Sequence, residues 1–362
     1  MKIGILTYHR TLNYGACLQA IATRVALERM GHEAYYVDYW PEYHKDIYRI
    51  FSIGTLRRRI RHPKSLKTYL LDILRYHADM QKRIDNFDEF YKHYVYPYCV
   101  PTDTKFDAVI YGSDQIWRKQ GALKDYNPVY FGDNDLKTSL HIAYAASMGV
   151  MPKNDKDKNK IKDLVSHINH IGVREQDLAD LLVSLGYSDI HLNIDPTLLL
   201  SAQEWDEKIP TEPYFGEKYV LVYQLKEKPF NLQHISEFAK NHNLGIKVLN
   251  GYATSRETTT NITTPCPSEF IRLIRNAEYV FSGSFHGTVF SIIYHKQVFA
   301  SNKKNNGRMK TLFSTLGIEG RLIEPMTPIP DDIKTIDYEQ VDTRLNTLKE
   351  GSIEYLKKSL LV

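Results

Sequence analysis

Residues 278–291 read EYVFSGSFHGTVFS, a short apolar run that breaks at Gly283-Ser284 and restarts with helical spacing. The break puts His286 on the first turn of a helix that follows a strand. Unpaired backbone N–H groups and the positive end of the helix dipole meet any anion placed there. Because a histidine gives or takes a proton near neutral pH, this one could act as an acid or base or as a phosphate ligand. Ser284 suits the N-cap, Gly283 allows the sharp turn, and Gly287 clears room for a ligand to approach the backbone. The competing reading is a histidine that only packs beneath its helix.

The elements that must carry this site follow from periodicity. Residues 2–8 form an apolar run suited to a strand buried on both faces, 15–30 carry a helical stripe that Gly31 stops, and 33–38 form the next strand. An insertion at about 41–95, rich in Tyr and Arg, is expected to be helical. Alternation then resumes with strands at 106–111, 140–145, 170–173 and 190–194 and helices at 156–168 and 175–185. After a polar stretch at 201–215, strands at 219–224, 245–249, 278–282 and 297–300 alternate with helices at 232–241, 268–276, 285–294 and 308–316, while Thr-rich 254–267 reads as loop. Two such arrays predict an α/β fold of two doubly wound, Rossmann-like domains facing a cleft. The expected division is 1–200 with its helical insertion, 201–335, and a terminal helix at 336–362 that returns to the first domain.

In such a fold ligands bind beyond the carboxyl ends of the strands. Polar residues collect at those points: Tyr8, His9, Arg10 and Asn13 after the first strand, Asp114 in a GSDQ turn, Arg174, Asp195, and Ser284 with His286. A buried core would place apolar side chains there, so the coincidence points to a binding site.

Six stretches taken together resemble the polysaccharide pyruvyl transferase family: LTYHRTLNYGACLQA near the start, DAVIYGSDQIW at 107–117, YAASMG at 144–149, GVREQDLADLL at 172–182, DPTLLL at 195–200 and SGSFHGTVFSIIYHKQVFA at 282–300. The resemblance runs from Lys2 to about Arg321. It implies an architecture like that of the two-domain B-type glycosyltransferases. It also implies transfer of pyruvate from phosphoenolpyruvate, a co-substrate, to a sugar of a cell-surface polysaccharide precursor, closing a cyclic ketal, with no cofactor and no metal. By the same resemblance His286 is the catalytic histidine. Arg174, the arginine of a strand-end R-E pair, then binds the donor, with Ser284, Phe285 and Gly287 beside it. Arginine suits bidentate recognition of the donor's carboxylate and phosphate. Some members carry arginine where this chain has Ser284, and Arg308 or Lys310 on the next helix are the expected substitutes.

The acceptor, a sugar or a lipid-diphosphate-linked oligosaccharide, is then expected against the first domain. An attacking hydroxyl must lose a proton, which Asp114 or His9 could accept, although Asp114 could equally cap a following helix. Tyr8, Asn13, Tyr14 and Trp117 have the flat or amide-bearing side chains that hold a pyranose, and Trp117 suits a core as well. Cys17 lies on a helical stripe and reads as a packed thiol. Two further readings share the cleft: a B-type glycosyltransferase using a nucleotide sugar, and a glycan-binding module without turnover.

Composition sets the outer bounds. A chain of 362 residues with 43% apolar and 25% charged content belongs to a globular protein of two ordinary domains. Its three cysteines, Cys17, Cys99 and Cys266, show neither a disulfide framework nor zinc spacing, which fits a reducing cytosol. The opening MKIGILTYHR is too short an apolar run for a signal peptide, and no run of about 18 apolar residues occurs, so a cytoplasmic protein is expected. Net charge is only +4, and no nucleic-acid motif is present. Charge is nonetheless concentrated between Lys45 and Lys67, where Arg49, Arg57, Arg58, Arg59, Arg61 and Lys64 interleave with apolar residues. Such a segment could touch the anionic inner face of a membrane, or form an ordinary solvated helix face.

Overall fold

Runs such as KIGIL and AVIY, apolar without alternation, need cover on both faces. The computed structural model, which describes residues 1–60, 62–225, 228–251, 261–262, 264–301, 307–329 and 334–361, provides it. Strands β1 (Lys2–Leu6), β2 (Glu33–Val37), β3 (Cys99–Val100), β4 (Ala108–Tyr111), β5 (His141–Ala146), β6 (His170–Val173) and β7 (Ile190–Leu192) form a parallel sheet in the order β3-β2-β1-β4-β5-β6-β7. A second parallel sheet contains β8 (Tyr219–Gln224), β9 (Gly245–Asn250), β10 (Asn261–Ile262), β11 (Tyr279–Ser282) and β12 (Gln297–Ala300) in the order β10-β9-β8-β11-β12. In each sheet the strand order reverses beside the first strand, between β1 and β4 and between β8 and β11. A reversal of this kind opens a crevice at the carboxyl ends, where ligands bind.

The helices are α1 (Tyr14–Arg29), α2 (Glu42–Tyr48), α3 (Ile53–Arg59), α4 (Pro63–Tyr94), α5 (Asp155–Val165), α6 (Gln176–Ser184), α7 (Ala202–Lys208), α8 (Leu232–Asn241), α9 (Pro267–Arg275), α10 (Phe285–Ile293), α11 (Gly307–Leu316) and α12 (Tyr338–Leu360). The polar stretch after residue 200 thus contains a helix. Ser201 and Glu204 close a capping box at its start, and Trp205 anchors it in the core. Of the Thr-rich loop, residues 252–260 and 263 lie outside the described residues.

A buried tyrosine after the first strand joins the two sheets. Tyr14 stacks on Phe270 of α9 at 4.6 Å, donates to the Pro265 carbonyl at 3.0 Å and accepts from Arg83 of α4 at 2.8 Å. It is fully buried, so Tyr14 joins the sheets and does not serve as a sugar platform. At the other end of the chain, α12 lies on the first sheet, where the Tyr355 hydroxyl donates to the Ala143 carbonyl of β5 at 2.7 Å and Ser352 accepts from Ile194 N at 3.1 Å.

Candidate active site

Ser284 is the N-cap of α10, its hydroxyl accepting from Gly287 N at 3.5 Å. This leaves His286 at the helix start, 6% exposed and facing the crevice. Its Nε2 lies 3.2 Å from Oδ2 of Asp195, which arrives from the end of the first sheet. Asp195 opens a short 3-10 turn, Pro196–Leu199, and its Oδ1 accepts from the backbone N–H and hydroxyl of Thr197 at 3.1 and 2.6 Å. Burial alone would raise this carboxyl, but His286 and Arg174 hold it far below the ordinary carboxylate range. Asp195 therefore stays ionised and faces the imidazole as a fixed negative charge. On the other side the ring abuts the first turn of α1, where a Cβ added to Gly15 would fall 2.0 Å from His286 Nδ1. Two helix N-termini, those of α1 and α10, meet at this histidine, and only glycine permits the approach.

Arg174, after β6, is 5% exposed. Its Nη1 donates to Asp195 Oδ2 and, at 3.3 Å, to Ser113 Oγ. Its Nη2 stands 3.9 Å from Asp114 Oδ1, and neither Nη2 nor Nε has a hydrogen-bond partner among the described residues. From α11, Arg308 comes to the same place. The Arg174 and Arg308 guanidinium carbons lie 4.8 and 5.2 Å from the centre of the Phe285 ring, so Phe285 holds both arginines by cation–π contact. Burial and the nearby Arg174 push the Arg308 guanidinium down to about 10, and its Nε is 3.9 Å from Glu175 Oε1. A buried guanidinium with two unpaired nitrogens, Arg174, beside a second, half-buried one, Arg308, suits a small dianion or trianion. Among the described residues no group of three or more His, Cys, Asp or Glu is gathered as a metal site.

The structure separates the remaining candidates. A cleft of about 460 Å³ is lined by Tyr8, Asn13 and Asp114 from the first sheet and by Ser284, Phe285, His286 and Arg308 from the second. Asp114 does not cap a helix, because none follows it. It sits in the left-handed region at φ 69°, which an aspartate tolerates, and its Oδ1 accepts from Gln115 N at 2.8 Å. The Tyr8 hydroxyl is engaged by Gln120 at 2.7 Å, and Asn13 caps α1 through Gly15 N and Ala16 N at 3.0 and 3.3 Å.

Four expectations are corrected. His9 turns into the core, 1% exposed and stacked on Tyr36, and burial pushes it down to about 4, so it cannot reach a hydroxyl in the cleft. Trp117 is wholly buried, stacked on Phe131 and donating to the Tyr130 carbonyl at 2.8 Å. Lys310 points to solvent on α11, leaving Arg308 as the cation that enters the site. Gly287 serves packing rather than ligand approach, since a Cβ there would meet Ser282 Oγ at 2.5 Å and the Tyr223 ring at 2.6 Å. Cys17 is, as read, a buried thiol; it donates to the Tyr14 carbonyl at 3.1 Å, and burial raises it.

Sequence reasoning missed the part of the wall made by α2. Tyr43, His44, Ile47 and Tyr48 reach the cleft opposite α10, with Arg118 nearby. His44 packs edge-on against Tyr8 at 4.6 Å, and burial followed by Arg118 pushes it down to about 4, so it is a neutral hydrogen-bonding group at pH 7. The residues 42–48 carry no periodic signal that distinguishes a cleft wall from a surface helix.

The family model described as polysaccharide pyruvyl transferase matches residues 13–302. No curated protein sequence gives a significant match. Among solved structures, the UDP-GlcNAc 2-epimerase from Methanocaldococcus jannaschii is 12% identical, with a TM-score of 0.48 over 96% of this chain and 92% of that one. The UDP-GlcNAc 2-epimerase from Neisseria meningitidis is 11% identical, with a TM-score of 0.46 over 99% and 94%. The spinosyn rhamnosyltransferase SpnG is 12% identical, with a TM-score of 0.38 over 99% and 95%.

Proposed function

Because the chain belongs to the polysaccharide pyruvyl transferase family, we propose that it transfers the pyruvyl group of phosphoenolpyruvate to a sugar of a cell-surface glycan precursor, forming a cyclic ketal and releasing phosphate. The observation that carries this reading is the meeting, at one helix N-terminus, of His286 with the Asp195 carboxylate and of two arginines held on Phe285, Arg174 with unpaired Nε and Nη2 and Arg308 on the cleft wall. Phosphoenolpyruvate has a carboxylate, a phosphate and a carbon that must be protonated, and each has a counterpart there.

In this mechanism Arg174 Nε and Nη2 take the donor carboxylate, while Arg308 and the first N–H groups of α10 take the phosphate. Protonated His286, whose Nε2 stands 3.2 Å from Asp195 without a hydrogen bond to it, has its charge balanced by the carboxylate and keeps the Nε2 proton free to give to the methylene carbon. C2 becomes electrophilic, and a sugar hydroxyl adds to it. The C2–O bond to phosphate then breaks, and a second hydroxyl closes the ketal. The balance is simple: of the two hydroxyl protons, one replaces that which His286 delivered to the new methyl group, and the other leaves with phosphate. Asp114, 3.9 Å from Arg174 and open to the cleft, accepts the first of them.

The acceptor in this proposal is carried on a lipid diphosphate and met at the inner face of the membrane. No helix among the described residues is long and apolar enough to cross a bilayer. The insertion does expose Phe51 (52%), Ile53 (60%) and Ile60 (61%) beside the basic run; Arg61 lies outside the described residues. Apolar side chains among cations are what an anionic interface takes up.

The test is phosphate release by purified enzyme given phosphoenolpyruvate and a glycan-precursor extract. Release that needs both, with a mass gain of pyruvate less water in the glycan, is expected. Turnover of a nucleotide sugar in place of phosphoenolpyruvate would overturn the reading.

A further inference from the structure

Beside the catalytic cleft lies a second recess of about 390 Å³, between the loop after β1 and the insertion. Trp40, Tyr48, Phe87, Tyr91 and Tyr96 supply its rings, and Arg10 and Lys45 reach over Trp40 at 5.7 and 5.6 Å. Thr11 and Tyr48 border both the recess and the cleft, and α2 stands between them. Nothing in the pyruvyl transfer step uses this space.

Three residues of its wall each carry a buried polar atom with no hydrogen-bond partner among the described residues: Arg10 Nε, Thr11 Oγ1 and Trp40 Nε1. Buried donors and acceptors are rarely left unmade, so three in one wall call for a ligand that completes them. Charge decides its class. Arg10 pairs with Asp38 at 3.2 Å, Lys45 with Glu42 at 3.5 Å, and Arg49 with Glu42 at 2.7 Å and Asp46 at 3.1 Å, while Asp88 adds a negative charge. The cations are already matched, which disfavours a phosphate. An acyl chain would cover the rings and leave all three polar atoms unmade. A pyranose meets both demands, its C–H face lying on an aromatic ring and its hydroxyls reaching the wall.

We infer that the recess is a glycan subsite for a neutral sugar ring of the acceptor, next to the ring that enters the cleft, so that the enzyme reads at least a disaccharide. The word acceptor rests on the function proposed above; the sugar binding itself does not.

The chain reports on this site directly. Of its three tryptophans, Trp117 and Trp205 are fully buried in the cores, which leaves Trp40 as the one whose emission a ligand can alter by contact. Wild-type protein is titrated with mono-, di- and trisaccharides of glucose, galactose, mannose and N-acetylglucosamine, and with dodecyl phosphate. The expected result is that at least one oligosaccharide changes the emission and binds roughly tenfold tighter than its monosaccharide. Thr11→Val, which keeps the shape and removes a hydroxyl, should weaken that binding roughly three- to tenfold. The inference is overturned if no sugar of the panel changes the emission, if oligosaccharides bind no tighter than monosaccharides, or if dodecyl phosphate is the preferred ligand. Thermal stabilisation by phosphoenolpyruvate is read in parallel. Its loss with the Trp40 response intact rejects pyruvyl transfer and leaves the subsite, and the converse rejects the subsite alone.

Discussion

In the proposed mechanism His286 and Asp195 act as one unit, the carboxylate 3.2 Å away balancing the charge of the imidazolium that gives up the proton. His286→Ala should lower phosphoenolpyruvate-dependent phosphate release by ~100- to 10,000-fold. Asp195→Asn should cost less, and the double variant should be no worse than His286→Ala alone, since residues acting as a unit are not additive. Fully additive losses would separate the two. A second test concerns His9, whose folded pKa of about 4 lies below the ~6.5 of an unfolded chain. Its contribution to stability is then complete above about pH 6.5 and is lost as pH falls toward 4. Between pH 7 and 4.5, urea unfolding of His9→Asn should lose roughly 2–3 kcal/mol less than wild type. An unchanged pH slope would mean that the imidazole is not buried neutral. At this scale the sequence reveals His286 and Arg174, because each is tied to a strand end. It conceals the contact between His286 and Asp195, which come from different sheets, since hydrophobic periodicity is a local signal. It misplaces His9, whose neighbours Tyr8 and Asn13 do reach the cleft.

Helices α1 and α10 bring their N-termini together at the histidine, and Gly15 is the point of closest approach. Gly15→Ala favours helix in α1 by intrinsic propensity, by up to about 1 kcal/mol, yet its Cβ has no room beside His286. Displacing the ring by an ångström should lower kcat on the order of 100-fold while the protein stays folded. Melting and steady-state rates check this, and a wild-type kcat would show that the ring is free to move aside. The βα arrays were legible because buried parallel strands and amphipathic helices have distinct periods. The α7 helix was legible in principle, through its S-x-x-E capping box. The fold of α2 over the cleft was not, because Tyr43, His44 and Tyr48 look like any polar-aromatic helix until the partner surface is known.

At the scale of the whole molecule, the two sheets meet through Tyr14, Arg83 and the α9 surface, which sets the width of the cleft between them. The insertion that supplies Arg83 also carries the basic, apolar-tipped segment. Each Lys or Arg near an anionic bilayer adds ~1 kcal/mol, so wild-type protein should cosediment with anionic vesicles at low salt and release as salt rises. Changing Arg57, Arg58, Arg59 and Arg61 to Gln should abolish cosedimentation. Equal sedimentation of the two proteins, or none by either, would reduce the segment to a solvated face and leave the chemistry untouched. Whether phosphoenolpyruvate lies between Arg174 and Arg308 with its methylene carbon at His286 is decided by a crystal structure with this donor bound. The carboxylate is expected on Arg174, the phosphate on Arg308 and the start of α10, and the methylene carbon ~3–3.5 Å from His286 Nε2. A donor bound outside the cleft, or turned so that the methylene carbon faces away from His286, would contradict it.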